Sequence, residues 1–196
     1  VGCPDWCRNA CLTACPTGAL KGPRHIDPHQ CISFLTYYGQ GLTPLELRDP
    51  MGLWVYGCDR CQNVCPRNAP WLAKELTMNP NVMPMVEDFR LANLLHMDSQ
   101  YFNSRIWPRM FYMSEKDLWR WKMNVARVMG NTLDDQYIPE LARAYQENTD
   151  ERILGMVAWA LGRIGGPKAK SVLIQILPNS IGLVREEILS ALEKSQ

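Results

Sequence analysis

The sequence is short of several features that would otherwise narrow its function. Only three of its 196 residues are histidine, His25, His29 and His96, and none has a metal-ligand partner at useful spacing. No Gly-rich phosphate loop and no Ser/His/Asp arrangement is present. The net charge is +1, which excludes a global polyanion-binding signature. No apolar run approaches the roughly 20 residues of a membrane helix, because Asp49, Arg60, Lys74 and others interrupt every candidate. A soluble, cytoplasmic protein with no membrane partner is therefore expected. The chain opens Val1-Gly2-Cys3, with no initiator Met and no secretory leader ahead of the first cysteine. That start suggests a fragment or a processed chain.

Cysteine is missing from everything after residue 65. All eight cysteines lie between Cys3 and Cys65. A disulfide protein usually spreads its cysteines through the fold and needs an oxidising compartment; a cofactor site concentrates them. Cys3, Cys7, Cys11 and Cys15-Pro16 form one run, Cys58, Cys61 and Cys65-Pro66 a second, and Cys31 stands between. The second run reads C-x2-C-x3-C-P, the closing portion of the bacterial ferredoxin pattern, whose last cysteine ligates the other cluster. A cubane cluster needs four thiolates, three from a tight local run and one from a distance. The proline after each run turns the chain away and removes an N–H from a crowded site. Eight cysteines make two complete sets. Two zinc sites would also use eight thiolates, and disulfides or free thiols are further alternatives. Two runs each closing in Cys-Pro favour two [4Fe–4S] clusters, and with them electron transfer.

Composition divides the chain in three. Residues 1–70 hold the cysteines and many Gly and Pro, a loop-rich fold that needs staples because it can form little core alone. Short helices are expected near 8–14 and 29–36. Residues 71–118 form a connecting region broken by Pro80 and Pro84, with helical spacing of apolar residues over 86–96 and a helix start at Asp98 or Ser99. Residues 119–196 carry an internal repeat. Val125-Ala126-Arg127-Val128-Met129-Gly130 recurs 32 residues later as Val157-Ala158-Trp159-Ala160-Leu161-Gly162, and more weakly as Ile188-Leu189-Ser190-Ala191-Leu192-Glu193. Second helices are expected at 137–146 and 168–177, with Pro139 in a first turn and Pro178 past an end. Each helix pair would expose an apolar face that only a neighbouring pair can bury, as in HEAT-type repeats; an ordinary helical bundle is the alternative. The expected fold is mainly α: a loop-rich, bacterial ferredoxin-like double [4Fe–4S] domain followed by HEAT-like helical repeats.

The segment 105–127 is locally basic, with Arg105, Arg109, Lys116, Arg120, Lys122 and Arg127, and Trp107, Phe111, Tyr112, Trp119 and Trp121 are interleaved. Cations can neutralise phosphates and aromatics can stack on unpaired bases. Equally, the aromatics can be core and the charges a solvated helix face. Arg105, Arg109, Arg120 and Lys122 are the candidate RNA contacts. His29, two residues before Cys31, and Asp59 and Arg60, inside the C-x2-C, are candidates for tuning or orienting the cysteine loops. The methionines read as packing.

Three stretches together carry a family resemblance: Cys15-Pro16-Thr17-Gly18-Ala19-Leu20, Cys31-Ile32-Ser33-Phe34-Leu35-Thr36, and Gly57-Cys58-Asp59-Arg60-Cys61-Gln62-Asn63-Val64-Cys65-Pro66-Arg67-Asn68. They closely resemble epoxyqueuosine reductase, over residues 1–70 well and more loosely through the repeats. The resemblance implies two [4Fe–4S] clusters and a cobalamin, a plan shared with reductive dehalogenases. It implies reduction of epoxyqueuosine to queuosine at the tRNA wobble position, with a tRNA anticodon stem-loop and a low-potential electron donor as partners. It also implies an inner cluster on Cys15, Cys31, Cys58 and Cys61 and an outer one on Cys3, Cys7, Cys11 and Cys65. Two departures stand out. The first three cysteines are spaced by three residues here, not two; an i to i+4 spacing on a helical turn would keep them on one face. The family's cobalamin-binding and catalytic part precedes the clusters and has no counterpart in this chain, so no epoxide reduction is expected from it alone.

Overall fold

The computed structural model describes Cys3, residues 5–110 and residues 112–194; Phe111 lies outside them. The cysteine-bearing part is a chain of short elements. A single 3-10 turn, Asp5–Cys7, precedes α1 (Ala10–Ala14). A small antiparallel hairpin follows, β1 (Leu20–Gly22) and β2 (His25–Ile26), with Leu20 opposite Ile26. A 3-10 turn at Pro28–Gln30 is capped by Asp27, whose carboxylate accepts from His29 N. Then come α2 (Ile32–Tyr38), α3 (Leu45–Arg48), α4 (Arg60–Asn63) and α5 (Ala69–Leu72). The helix expected over 29–36 is thus divided at Cys31, whose backbone is extended (φ −77°, ψ 123°). Only a small core sits here, Ile32, Leu35, Leu47 and Met51.

The stretch expected as one helix over 86–96 is a 3-10 turn, Met83–Phe89, followed by α6 (Leu91–His96). Arg90 is extended between them and so changes the pitch. Asp98 caps α7 (Ser99–Tyr101) by accepting from Tyr101 N, and a π-helical turn, Phe102–Ile106, continues it.

Five longer helices complete the chain: α8 (Leu118–Thr132), α9 (Ile138–Glu147), α10 (Glu151–Ile164), α11 (Gly166–Ile176) and α12 (Gly182–Lys194). The repeated sequence occupies α8, α10 and α12, and α10 packs between the other two. Their crossings are close because the repeat places glycine against alanine. A Cβ on Gly130 would lie 2.8 Å from Ala160 Cα, and one on Gly162 would lie 2.5 Å from Ala191 Cβ. The main core runs through these helices and takes in Leu94, Leu95, Phe102, Ile106 and Met113 of the connecting region. Among the described residues no helix is long and apolar enough to cross a membrane.

α8 is buried from Arg120 to Gly130, because both of its faces are covered. Its apolar side joins α10. Its polar side, Arg120, Asn124, Arg127 and Asn131, follows helical spacing and meets backbone carbonyls of the cysteine-bearing part. Arg120 donates to Gly39 O (2.9 Å), Asn124 to Thr36 O (3.3 Å), Arg127 to Gly52 O (2.9 Å) and Trp54 O (2.5 Å), and Asn131 to Arg48 O (2.8 Å). Arg48 adds a bidentate pair to Glu187 of α12, 2.7 Å on each arm.

Candidate iron–sulfur centre

Cys15, Cys31, Cys58 and Cys61 line one cavity, together with Ala19, Leu20, Ile26 and Ile32. Four local devices bring them there. Cys15 ends α1, and Cys61 lies on α4, which packs against α1. Cys31 precedes α2. The loop bearing Cys58 is tied to α2 by two side chains: Ser33 Oγ donates to Cys58 O (3.3 Å), and Thr36 Oγ1 accepts from Gly57 N (3.0 Å). Gly57 has φ +70°, a backbone conformation that favours glycine, and a Cβ there would also press to 2.5 Å from Tyr37 Oη, so the tyrosine would have to move. In the motif Cys-Ile-Ser-Phe-Leu-Thr, Cys31 therefore supplies a thiol just before α2, and Ser33 and Thr36, on one face of that helix, clamp the neighbouring loop.

Burial pushes the Cys58 and Cys61 thiols up, and the nearby thiols of Cys31 and Cys15 push in the same direction. Cys15 behaves differently. Burial pushes it up, but hydrogen bonds from the Leu20, Ala19 and Thr17 backbone and the Thr17 side chain outweigh this and leave it lowered. Gathering thiolates in one partly buried place costs free energy unless a cation is among them; a metal-bound thiol is deprotonated outright. All eight cysteines are free thiols. Four thiols around one cavity match the donor count of a [4Fe–4S] cluster, which takes one thiolate per iron. The donor set thus fits a [4Fe–4S] cluster.

The other four cysteines are arranged less compactly. Cys3 is exposed, Cys7 buried, and Cys11 and Cys65 half-buried. Cys7 and Cys11 do not share a helical turn, contrary to expectation. Arg8 and Asn9 between them are both left-handed (φ 50° and 54°), so the extra residue in the spacing is taken up by a reversal of the backbone. Asn tolerates this conformation and Arg less so. Cys11 is near enough to Cys61 to raise its pKa, so the two cysteine groups adjoin. The Cys65 loop is braced by Asn68 Nδ2 donating to Gln62 O (3.0 Å) and Gln62 Nε2 donating to Asp59 Oδ1 (2.6 Å). Asp59 therefore orients the loop. His29 stands edge-on to Phe34, ring centroids 5.5 Å apart.

The basic segment separates. Arg105 and Arg109 are exposed. Arg120 and Lys122 are buried, at 2% and 8% exposure, which overturns their place on an RNA-facing surface. Arg120 pairs with Asp117 and Gly39 O, and Lys122 Nζ donates to Asn148 Oδ1 (3.1 Å). Gly39 and Asn148 are remote in sequence from Arg120 and Lys122, and a linear charge count cannot reveal such partners. His96, which the sequence left without a role, sits between two carboxylates of α9, Glu140 (2.7 Å) and Glu147 (2.6 Å), and joins α6 to that helix.

Residues 3–68 match the family model for a 4Fe-4S double cluster binding domain, and residues 113–193 match the model for HEAT repeats. Fold and site together define an iron–sulfur protein built on a helical-repeat scaffold. The epoxyqueuosine reductase of Bacillus subtilis (strain 168) is 34% identical over 163 residues, covering 80% of this chain and 40% of that protein. The chain belongs to the epoxyqueuosine reductase family. A solved structure of the Bacillus subtilis enzyme superposes with a TM-score of 0.78 at 32% identity, over 95% of this chain and 49% of the other. An epoxyqueuosine reductase solved with a tRNA-Tyr epoxyqueuosine-modified stem loop gives 0.76 at 31% identity, over 94% and 48%. The chain thus spans about half the length of these relatives.

Proposed function

We propose that this chain is the electron-relay and tRNA-docking portion of a cobalamin-dependent epoxyqueuosine reductase acting in the cytoplasm. The observation that carries the reading is the single cavity lined by Cys15, Cys31, Cys58 and Cys61. Bound there, a [4Fe–4S] cluster would accept and pass on one electron at a time. Cys3, Cys7, Cys11 and Cys65 would hold the second cluster, where a low-potential donor delivers electrons. Residues 1–70 would be the relay, 71–118 the connector and 119–196 the docking scaffold. By the resemblance, the cobalamin-binding part of the family has no counterpart in this chain, so the chain's own contribution would be to place and tune the clusters. Arg105 and Arg109, exposed on the connector, remain the candidate contacts to an anticodon stem-loop.

Anaerobic reconstitution with iron and sulfide tests the relay. Eight irons per chain and a brown colour that bleaches with dithionite are expected; a colourless protein with two zincs would rule the reading out. Docking is tested by titrating an anticodon stem-loop at several salt concentrations. Arg105→Ala with Arg109→Ala is expected to weaken binding and to flatten the salt dependence by about two phosphate contacts' worth. Unchanged affinity would remove this surface from the proposal.

A further inference from the structure

The Cys15 sulfur meets a backbone donor and a side-chain hydroxyl from its own turn. Ala19 N donates to Cys15 Sγ at 3.3 Å, and Thr17 Oγ1 lies 3.7 Å from the same sulfur. The turn holding them is fixed at both ends. Gly18, at φ +63°, donates its N–H to Cys15 O (3.2 Å), and Asp27 N donates to Ala19 O (2.8 Å), anchoring the turn to the chain just past β2. Ala19 is 1% exposed and Thr17 half-buried, so solvent competes poorly for these bonds. Between a thiol and a hydroxyl either atom could donate. A thiolate bound to iron has no proton to give, so in the cluster-bound protein the hydroxyl is the donor.

A one-electron reduction adds one negative charge to a cluster, and its ligand sulfurs share that charge. Donors on those sulfurs favour the reduced state, which raises the potential. The Ala19 N–H belongs to the backbone and is present whatever the side chain. The Thr17 hydroxyl is the adjustable part. We propose that Thr17 tunes the cluster ligated by Cys15, holding its reduction potential above the value the same thiolates would give without that hydroxyl. Thr17 acts through Cys15, so it is a positioning residue for charge. The inference rests on the two-cluster reading above.

The test uses the full chain reconstituted anaerobically and titrated with dithionite, each cluster being followed by its electron paramagnetic resonance signal. In Thr17→Val the iron content is expected to stay at the wild-type level. One of the two midpoint potentials moves to a more negative value, the other stays, and Thr17→Ser restores the wild-type pair. If Thr17→Val loses iron, the comparison is made with Thr17→Ala, which removes the hydroxyl without filling its place. Two potentials unmoved in the hydroxyl-free variant would overturn the proposal. So would an equal shift of both, or a serine variant that behaves like valine. A wild-type chain that takes up fewer than eight irons overturns the two-cluster reading and this proposal with it; eight irons with unmoved potentials overturns this proposal alone.

Discussion

Thr36 makes three connections with one hydroxyl. It shares its single proton within α2 between Ile32 O (2.8 Å) and Ser33 O (3.1 Å), and accepts from Gly57 N (3.0 Å). It is fully buried, so no water can replace the acceptor. Thr36→Val keeps the shape and removes the acceptor, leaving the Gly57 N–H unpaired beside Cys58. The expected cost is about 1–3 kcal/mol in a denaturant titration, with a lower yield of reconstituted iron, while Thr36→Ser should fall close to wild type. Equal stability of the valine variant would mean that the Gly57 N–H is satisfied another way. Residue type and spacing made the cysteines legible in the sequence, and the resemblance flagged the interval from Cys31 to Thr36. Neither could say that Ser33 and Thr36 reach across 25 and 21 residues to hold the second loop. The same blindness to distant partners made Arg120 and Lys122 look like surface charges.

At the scale of elements, the repeat was legible because it recurs, and the glycine that closes two copies explains why. Glycine inside a helix normally costs about 1 kcal/mol relative to alanine, so an exposed Gly→Ala change should stabilise. Gly162 inverts that sign. The added methyl would fall within 2.5 Å of Ala191 Cβ and 2.9 Å of its Cα, and backbone cannot step aside as a side chain can. Gly162→Ala is expected to destabilise by about 1–3 kcal/mol through overpacking, read from thermal or urea melts; a stabilised variant would mean that α10 and α12 do not cross this closely. Helix starts give a second check. Asp150 caps α10 by accepting from Arg152 N (3.0 Å) and also binds the Arg152 side chain (2.8 Å). Bonding to that side chain holds the Asp150 carboxyl below its ordinary range, with burial opposing. A depressed native value means that this stabilisation is present above the unfolded value, near pH 4. It is lost as pH falls through the native one. Asp150→Ala should cost about 1 kcal/mol at neutral pH and should flatten this part of the acid-side stability curve. The stretch 86–96 was less legible. Apolar spacing identifies which residues turn inward, but not that Arg90 would be extended and split the element into two pitches.

The whole molecule depends on how a poorly cored, loop-rich part is held on a well-cored helical one. The smaller core has four buried residues, Ile32, Leu35, Leu47 and Met51, so the docking seam has to supply much of what keeps the cysteine loops in place. Arg127 is its centre. It is fully buried on α8, and its two terminal nitrogens satisfy Gly52 O and Trp54 O, one turn below Asn124 on Thr36 O. Arg163 on α10 also crosses the seam, to Asp49 (2.6 Å), but both side chains are solvent-accessible, at 36% and 63%. Burial decides between the two. Arg163→Met should cost under about 1 kcal/mol, as exposed pairs do. Arg127→Met removes a buried charge, which relieves some desolvation, yet it leaves the half-buried Trp54 O with no donor, while Gly52 O keeps Asn131 Nδ2 (3.0 Å); a net loss of about 1–3 kcal/mol follows. Because that loss falls on the seam, it should change the form of unfolding as well as its midpoint. Calorimetry of the wild type is expected to give one cooperative transition, and Arg127→Met two, the earlier one accompanied by bleaching of the cluster absorption. A single transition in the variant, with cluster colour and helix content lost together, would mean that the seam is held by its apolar contacts, such as Tyr56 stacked on Trp121 at 5.3 Å, and that the polar stripe on α8 only sets its register.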